Sequence, residues 1–140
     1  MGCNNSIVVA ASADKVWARL RDFHDLSAFP NVVQKVDKVG AAGGTQIGAK
    51  RVINDAFQET LVALDDDARV LRYSIDDGPE ATSKDNVQGY IGQVRVFSVT
   101  ATDEAFVLWT SSWGASGGGV AEFCDPIYRA LLGDLQATFA

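Results

Sequence analysis

The feature that most constrains the fold of this chain is a change in the spacing of its apolar residues. Through the middle of the chain, apolar and polar residues alternate with a period of two, which is typical of strands with one buried face. Short breaks rich in Gly, Asp and Pro separate these segments, and such short connections favour antiparallel neighbours. The pattern therefore predicts a meander with strands over Val32–Val39, Gln46–Asn54, Phe57–Leu64, Arg69–Ile75, Gln88–Thr100 and Ala105–Trp113.

The residues before this meander predict one strand followed by helical segments. Ser6–Ala11 is rich in β-branched residues and predicts a first strand. Ser12 then offers an N-cap to a helix over residues 13–20, whose apolar residues share one face. Asp22–Phe29 predicts a short second helix or a turn, which Pro30 ends because proline disfavours helical geometry in the residue before it.

The end of the chain has helical spacing. Apolar residues recur three or four positions apart from Val120 onward, which predicts a long C-terminal helix with one apolar stripe. Pro126 leaves two interpretations open. The helix begins at Asp125 with the proline in its first turn, or it begins at Val120 and is kinked at the proline.

This order of elements predicts an α+β protein of the helix-grip type. We expect a curved antiparallel sheet of about seven strands, two short helices, and the long C-terminal helix on the concave side of the sheet. The arrangement encloses a cavity, where apolar walls with a few polar groups form a ligand site. At 140 residues, 47% of them hydrophobic, the chain predicts a single domain over residues 1–140.

Charge and cysteine content argue against several kinds of partner. The formal charge is −6, with lysines and arginines scattered among carboxylates, so no nucleic-acid partner is expected. Cys3 and Cys124 lie at opposite ends of the chain without a histidine cluster, so neither a disulfide framework nor a metal site is predicted. No apolar run approaches the ~20 residues of a membrane span, and the N-terminus does not resemble a signal peptide. We therefore expect a cytoplasmic protein without a cofactor, and the oligomeric state stays open.

The first six residues match the M-G-x-x-x-[ST] pattern of N-myristoylation, with Cys3 placed for palmitoylation. Two interpretations remain open. Dual acylation would anchor the protein to a membrane, whereas a chance match would leave Ser6 as the start of the first strand. The intact mass of protein from its native host distinguishes the two.

Several local patterns occur in the order found in a known superfamily. They are Ile7-Val8-Val9, Ala13-Asp14-Lys15-Val16-Trp17, Asp22-Phe23-His24-Asp25-Leu26, Phe29-Pro30, Gly48-Ala49-Lys50-Arg51-Val52, Glu59-Thr60-Leu61 and Arg72-Tyr73-Ser74-Ile75. Over nearly the whole chain they resemble the Bet v 1-like or START-like (SRPBCC) superfamily, in particular its branch of polyketide cyclases/dehydrases and lipid-transport proteins. The strand segment is similar to lachrymatory-factor synthase and its plant and bacterial relatives. The resemblance implies a cavity but leaves the activity open, because the superfamily mixes enzymes, carriers and receptors.

The same resemblance implies three catalytic positions, which correspond here to Arg51, Glu59 and Tyr90. Strand alternation independently places Arg51 and Glu59 within apolar rows, where two opposite charges are expected to pair. In one interpretation Arg51 fixes a polarised oxygen, Glu59 is the general base or acid, and Tyr90 donates to a developing enolate. In the other, Arg51 and Glu59 form a cross-strand ion pair with a structural role alone.

Aromatic and apolar residues elsewhere are predicted to line the ligand site or to pack in the core: Phe29, Tyr73, Trp109, Trp113, Phe123 and Ile127. His24, the sole histidine, is an acid–base candidate, although its position in a connector is typical of a surface residue. Residues 117–119 are three glycines that predict a hinge, close packing or a gate, because no Lys-Ser or Lys-Thr follows them as in a phosphate loop.

The predicted function is binding of a small, largely apolar or aromatic molecule in the cavity. The protein is then a carrier or a cofactor-free enzyme of the cyclase/dehydratase kind. A carrier needs only shape and one or two polar anchors, whereas an enzyme needs its catalytic groups about 3 Å from the reacting atoms. The alternative is a non-catalytic regulatory protein whose loops, near residues 77–79 or 114–119, change exposure when ligand binds.

Overall fold

Seven antiparallel strands form one sheet in the computed structural model, which describes residues 1–140. In chain order they are β1 (Asn4–Val9), β2 (Val36–Val39), β3 (Lys50–Ile53), β4 (Phe57–Asp65), β5 (Val70–Asp77), β6 (Ile91–Val99) and β7 (Glu104–Ser112). Strands β2 to β7 follow one another as the predicted meander, and β1 pairs with β7. Two irregularities in the pairing of β4 with β5 add to the twist that curves the sheet.

Two α-helices accompany the sheet, α1 (Ala13–Leu20) and α2 (Val120–Thr138), with a short 3₁₀ turn at Glu80–Thr82. The Ser12 hydroxyl accepts a hydrogen bond from the first turn of α1, as its N-cap role predicts. Helix α2 begins at Val120, so Pro126 lies inside it, and the first of the two predicted starts is wrong. Neither helix has the length and apolarity that crossing a membrane requires.

Of the two alternatives predicted for Asp22–Phe29, a short helix or a turn, the structure has the second: the segment forms consecutive turns and the short helix is absent. The Asp22 carboxylate accepts the backbone N–H of His24 at 2.9 Å, and the Asp25 carboxylate accepts that of Ser27 at 3.0 Å. Aspartate side chains that bond nearby backbone groups compete with helical hydrogen bonds, which explains the turns. Strands β2 and β3 have four residues each, fewer than the sequence pattern predicts.

Helix α2 is fastened near its C-terminal end to the turns that precede β2. The buried carboxylate of Asp134 accepts hydrogen bonds from the backbone N–H groups of Asn31 and Val32, at 2.7 and 3.3 Å. The Thr138 hydroxyl donates to the carbonyl oxygen of Ala28 at 2.8 Å. These turns, which we call the turn segment (residues 22–34), are therefore hydrogen-bonded to α2 near its C-terminal end.

The N-terminal residues continue the edge of the sheet beyond β1. The backbone N–H of Cys3 donates to the Ser111 hydroxyl at 3.1 Å, and the N–H of Ser111 donates to the Cys3 carbonyl oxygen at 3.0 Å. Cys3 is only 7% exposed. Acylation of its sulfur would require this end of the strand to leave the sheet.

Candidate functional site

A cavity of about 70 Å³ lies between the sheet and α2. Fifteen residues from the turn segment, the sheet and α2 line it; twelve are apolar, and the polar ones are Arg51, Asn54 and Glu59. A protein cavity that binds benzene measures about 150 Å³. An organic ligand of that size fits here only when the walls of the cavity move apart.

Arg51 and Glu59 lie opposite each other on β3 and β4. Each residue is only 6% exposed. Nε and Nη2 of Arg51 donate to the same oxygen of Glu59, Oε1, at 2.9 and 2.7 Å. Nη1 donates to the carbonyl oxygen of Phe23 at 2.8 Å, and the ring of Phe23 lies 3.7 Å from the guanidinium carbon. The predicted pairing of the two charges is therefore confirmed, and the pair lies inside the protein.

The second oxygen of Glu59, Oε2, accepts no hydrogen bond from the protein. Only one fully buried side-chain nitrogen or oxygen has no partner, and that atom is Nε of Arg95. Since Oε2 is not such an atom, it keeps some accessible surface, and Glu59 is one of the residues that line the cavity. Burial raises the pKa of the Glu59 carboxyl, and this effect outweighs the opposite effect of Arg51. A carboxylate with a raised pKa and an open oxygen is suited to accept and return a proton.

All three tyrosines of the chain, Tyr73, Tyr90 and Tyr128, meet in one group that we call the tyrosine cluster. The Tyr128 hydroxyl forms hydrogen bonds with the hydroxyl of Tyr73, at 3.3 Å, and with that of Tyr90. Trp109 Nε1 donates to the Tyr73 hydroxyl at 3.0 Å. Tyr73 and Tyr128 line the cavity, whereas Tyr90 lies behind Tyr128 and stacks on Trp113. Burial raises the pKa of all three hydroxyls, so they stay protonated.

Gly92 makes room for the tyrosine cluster. It lies on β6 directly opposite Tyr73 on β5. A Cβ atom at this position would clash with the Tyr73 ring and hydroxyl. The missing side chain therefore lets the Tyr73 ring lie across the neighbouring strand.

The predicted site residues divide into two groups. Those that line the cavity are Arg51, Glu59, Tyr73, Trp109 and Ile127, and those outside the lining are Phe29, Tyr90, Trp113 and Phe123. Phe29 packs against Trp109 with ring centroids 5.8 Å apart, and Phe123 packs against Phe57 at 6.5 Å. Both partners line the cavity, so Phe29 and Phe123 support its wall from behind. The roles of all these residues in binding or catalysis stay predictions.

Sequence reasoning missed Tyr128 as a site residue, although a signal was present. Tyr128 lies four residues after Cys124 and three before Leu131, which places the three on one helical face. Val32 and Val33 of the turn segment also line the cavity. The alternating pattern assigned them to the strand predicted over Val32–Val39, but they lie before β2 in the turn segment, so strand alternation could not indicate their position.

The other candidates lie away from the cavity lining. His24 Nε2 is 2.9 Å from the carbonyl oxygen of Lys50. The glycine-rich loop is held by Asn86, whose carbonyl oxygen accepts the N–H of Gly117 at 2.8 Å and whose side chain donates to Gly118 at 3.1 Å. No group of three or more histidine, cysteine or acidic side chains is placed to hold a metal ion.

Comparisons with known proteins agree with this architecture. The sequence profile of the family described as polyketide cyclase/dehydrase and lipid transport matches residues 3–140. A protein from Nitrosospira multiformis is 40% identical, with a TM-score of 0.96, over 100% of this chain and 97% of that one. An uncharacterised protein from Bacillus thuringiensis is 21% identical, with a TM-score of 0.77, over 99% and 98% of the two chains. Ginseng major latex-like protein 151 from Panax ginseng is 13% identical, with a TM-score of 0.78, over 99% and 97%. No curated protein matches the chain significantly.

The low-identity neighbours share the Bet v 1-like helix-grip fold, as predicted. Family and fold together support a ligand-binding role. The closer likeness to lachrymatory-factor synthase is not addressed by these matches and stays a prediction. Because the family profile spans nearly the whole sequence and the Nitrosospira protein is 40% identical over 100% of this chain, this chain belongs to the polyketide cyclase/dehydrase and lipid-transport family.

Proposed function

We propose that this protein binds a small, largely apolar carbonyl compound in its cavity and, without a cofactor, moves a proton at the carbon beside the carbonyl. The observation that carries this proposal is the open Oε2 of Glu59 within a lining that is otherwise mostly apolar. Proton transfer of this kind is the chemistry of cyclisation and dehydration.

The lining supports a ligand with one polar end. Apolar walls favour an apolar body, because each Å² of apolar surface removed from water contributes about 25 cal/mol. The oxygen of Asn54 accepts the backbone N–H groups of Gln34 and Lys35, at 2.8 and 3.1 Å, and one of its two amide N–H groups donates to Val32 at 3.0 Å. We expect Glu59 and the tyrosine cluster to hold the polar end.

Entry of such a ligand requires the cavity to enlarge beyond about 70 Å³. We expect the turn segment to move, because it contributes to the lining without belonging to a helix or strand. It is attached to α2 through Asp134 and Thr138, so we expect it to move about these contacts.

The proton transfer uses the two oxygens of Glu59 differently. Arg51 holds Oε1, which aims Oε2 at the cavity and makes Arg51 a positioning residue. The C–H bond of the ligand breaks, its proton goes to Oε2, and its electron pair moves to the carbonyl oxygen as an enolate. Glu59 then returns the proton, to another carbon or to a leaving hydroxyl, and recovers its charge. Its raised pKa makes the carboxylate a stronger base than an exposed one.

The test follows exchange of ligand protons for deuterium in D₂O by NMR, with cyclopentanone, cyclohexanone and phenylacetone as probes. Glu59→Gln keeps the side-chain shape but removes the base, so we expect exchange to slow about 100-fold or more. Glu122→Gln, on the exposed side of α2, is the matched control and keeps the wild-type rate. Equal exchange rates for wild type and Glu59→Gln would rule out Glu59 as the base.

A carrier is the second candidate, because twelve of the fifteen lining residues are apolar and the family description includes lipid transport. Native mass spectrometry of protein purified from its own host tests it, since a carrier retains its cargo. A retained lipid-like molecule, together with no exchange of any probe by wild type, would favour the carrier over the enzyme.

A further inference from the structure

We infer that the tyrosine cluster is an oxyanion-binding wall that stabilises the enolate of the proposed reaction, so that the site selects enolisable carbonyl compounds and phenols over hydrocarbons of equal size. The inference rests on the proposed function. It concerns hydroxyl groups that the proton transfer to Glu59 does not itself use.

The cluster has one hydroxyl proton more than it has internal hydrogen bonds. Three hydroxyls carry three protons, and two hydrogen bonds join them, both through Tyr128. Tyr128 has a single proton and cannot donate in both bonds, so three arrangements exist. The spare proton then belongs to Tyr73, to Tyr128 or to Tyr90. In two of these arrangements the spare proton is on Tyr73 or Tyr128, which line the cavity. A ligand oxygen in the cavity would favour these two arrangements by accepting a hydrogen bond from that proton.

The arrangement with the spare proton on Tyr73 is the most polarised. Tyr90 then donates to Tyr128, and Tyr128 donates to Tyr73. The Tyr73 oxygen accepts this bond and the one from Trp109 Nε1, so both of its lone pairs are in use. Its only remaining capacity is to donate, and each hydrogen bond in the chain strengthens the next.

The charge of the cavity does not change when an oxyanion forms beside this wall. The proton that leaves the ligand goes to Glu59, so the carboxylate becomes neutral as the ligand becomes negative. Arg51 stays charged throughout and keeps its contacts with Oε1 and with Phe23. The cavity therefore holds one positive and one negative group before and after the step, which avoids an uncompensated buried charge.

The tyrosines themselves are protected from ionisation. Burial raises the pKa of each hydroxyl, so a ligand oxyanion receives hydrogen bonds without taking a tyrosine proton outright. We expect an acidic phenol placed against the wall to pass its proton to Glu59, so that the bound phenolate is a stable analogue of the enolate.

The experiment measures binding of substituted phenols of increasing acidity, with 4-nitrophenol as the coloured member and 4-nitrotoluene as the neutral control. In wild type we expect affinity to rise with acidity, and bound 4-nitrophenol to show its yellow phenolate band below the pH at which it ionises in solution. Affinity that is independent of acidity, or no binding by any phenol, would overturn the inference.

Tyr73→Phe and Tyr128→Phe each remove a hydroxyl from the wall and should weaken phenolate binding about ten- to a hundredfold, as expected for a hydrogen bond to a charged group. Binding of 4-nitrotoluene should stay within about threefold of wild type in both variants, which shows that the cavity is intact. Unchanged phenolate binding by both variants would refute the inference even if Glu59 proves to be the base.

The Glu59→Gln variant separates the two proposals. It should bind neutral 4-nitrophenol without the yellow band, because the wall is present and the base is gone. A measurement without any substitution completes the test: ¹³C labelling of the tyrosine ζ-carbons gives only the three signals of the cluster. Signals of Tyr73 and Tyr128 that shift with 4-nitrophenol but not with 4-nitrotoluene would support the wall, and signals that respond equally to both ligands would overturn it.

Discussion

Two arginine–carboxylate pairs in this protein use the same chemical groups in different surroundings. Arg21 and Asp66 lie at the surface, with side-chain exposures of 39% and 51%, whereas the side chains of Arg51 and Glu59 are 7% and 6% exposed. Arg21 donates to both oxygens of Asp66, each at 2.9 Å, and Trp17 Nε1 adds a third bond at 2.8 Å. In the buried pair, both bonds from Arg51 go to a single oxygen.

The pKa values of the two carboxyls shift in opposite directions, and the causes are different. The hydrogen bonds from Arg21 and Trp17 lower the pKa of Asp66 to about 2. Burial raises the pKa of Glu59 although an arginine lies beside it. A carboxylate whose two oxygens both accept hydrogen bonds, such as Asp66, is suited to stabilising the fold. A carboxylate with one oxygen free of hydrogen bonds in an apolar site, such as Glu59, can still accept a proton.

The largest effect is expected from breaking the buried pair. Arg51→Met leaves the Glu59 carboxylate without its partner, and removal of one member of a buried pair costs about 3–5 kcal/mol in unfolding free energy at neutral pH. Arg21→Met is the matched control at the surface, where the loss should be about 1 kcal/mol or less. Urea unfolding of both variants measures the difference, and equal losses would contradict the contrast between the pairs.

The pH dependence of Arg51→Met sharpens this prediction. A carboxyl whose folded pKa lies above its ordinary value of 4.5 binds protons more strongly when folded, so the penalty is absent at pH values below 4.5. The penalty grows as the pH rises through the folded pKa. Arg51→Met should therefore approach wild-type stability on acidification, and a loss that is constant from neutral pH to pH 4.5 would count against a charged, buried Glu59.

A smaller effect is expected at Gly92, which makes room for the Tyr73 ring near the buried pair. That ring lies 5.5 Å from the Arg51 guanidinium carbon. Gly92→Ala forces the ring aside and should reduce unfolding free energy by about 1–3 kcal/mol, with loss of cluster signals in tyrosine NMR. Gly133→Ala, inside α2 with open space around it, is the control and should stabilise the protein by about 0.5–1 kcal/mol. Similar behaviour of the two variants would show that Gly92 does not position the ring.

The smallest effect belongs to the surface pair. Asp66→Asn keeps an acceptor for Trp17 but loses the charge, so we expect a loss of about 1 kcal/mol or less at neutral pH. Because the folded pKa of Asp66 is lowered from 3.8 to about 2, its contribution is present above pH 3.8 and disappears as the pH falls towards 2. Wild type and Asp66→Asn should therefore converge in stability towards pH 2, whereas the effect of Glu59 grows as the pH rises above 4.5. Stability curves that stay parallel would contradict the role of the Asp66 charge.

The fold could be predicted from the sequence because apolar residues recur with a different spacing in strands and in helices. Alternation in β4 to β7 and the apolar stripe of α2 are local signals, and they predicted the meander and the C-terminal helix. The turns over Asp22–Phe29 were ambiguous, because three-residue apolar spacing fits both a short helix and successive turns. Turns form here because the carboxylates of Asp22 and Asp25 accept hydrogen bonds from nearby backbone N–H groups. The spacing of apolar residues carries no information about such bonds.

The site was predictable only where contacts follow the strand register. Arg51 and Glu59 are paired across adjacent strands, so alternation and the meander were enough to place them together. Tyr90 immediately precedes β6, whereas Tyr128 lies in α2, 38 positions later in the chain. No local sequence pattern specifies the contact between them. The size of the cavity likewise depends on how α2 packs over the sheet.

Because both thiols are buried, the rates at which they react can be used to measure local opening of the structure. Cys3 and Cys124 are 7% and 4% exposed, and burial raises the pKa of each thiol, which disfavours the reactive thiolate. An alkylating reagent should reach Cys3 when the N-terminal strand leaves β7, and Cys124 when the cavity that it lines opens. The two alkylation rates, measured by mass spectrometry in the wild-type protein, would therefore report separately how often the sheet edge and the cavity open.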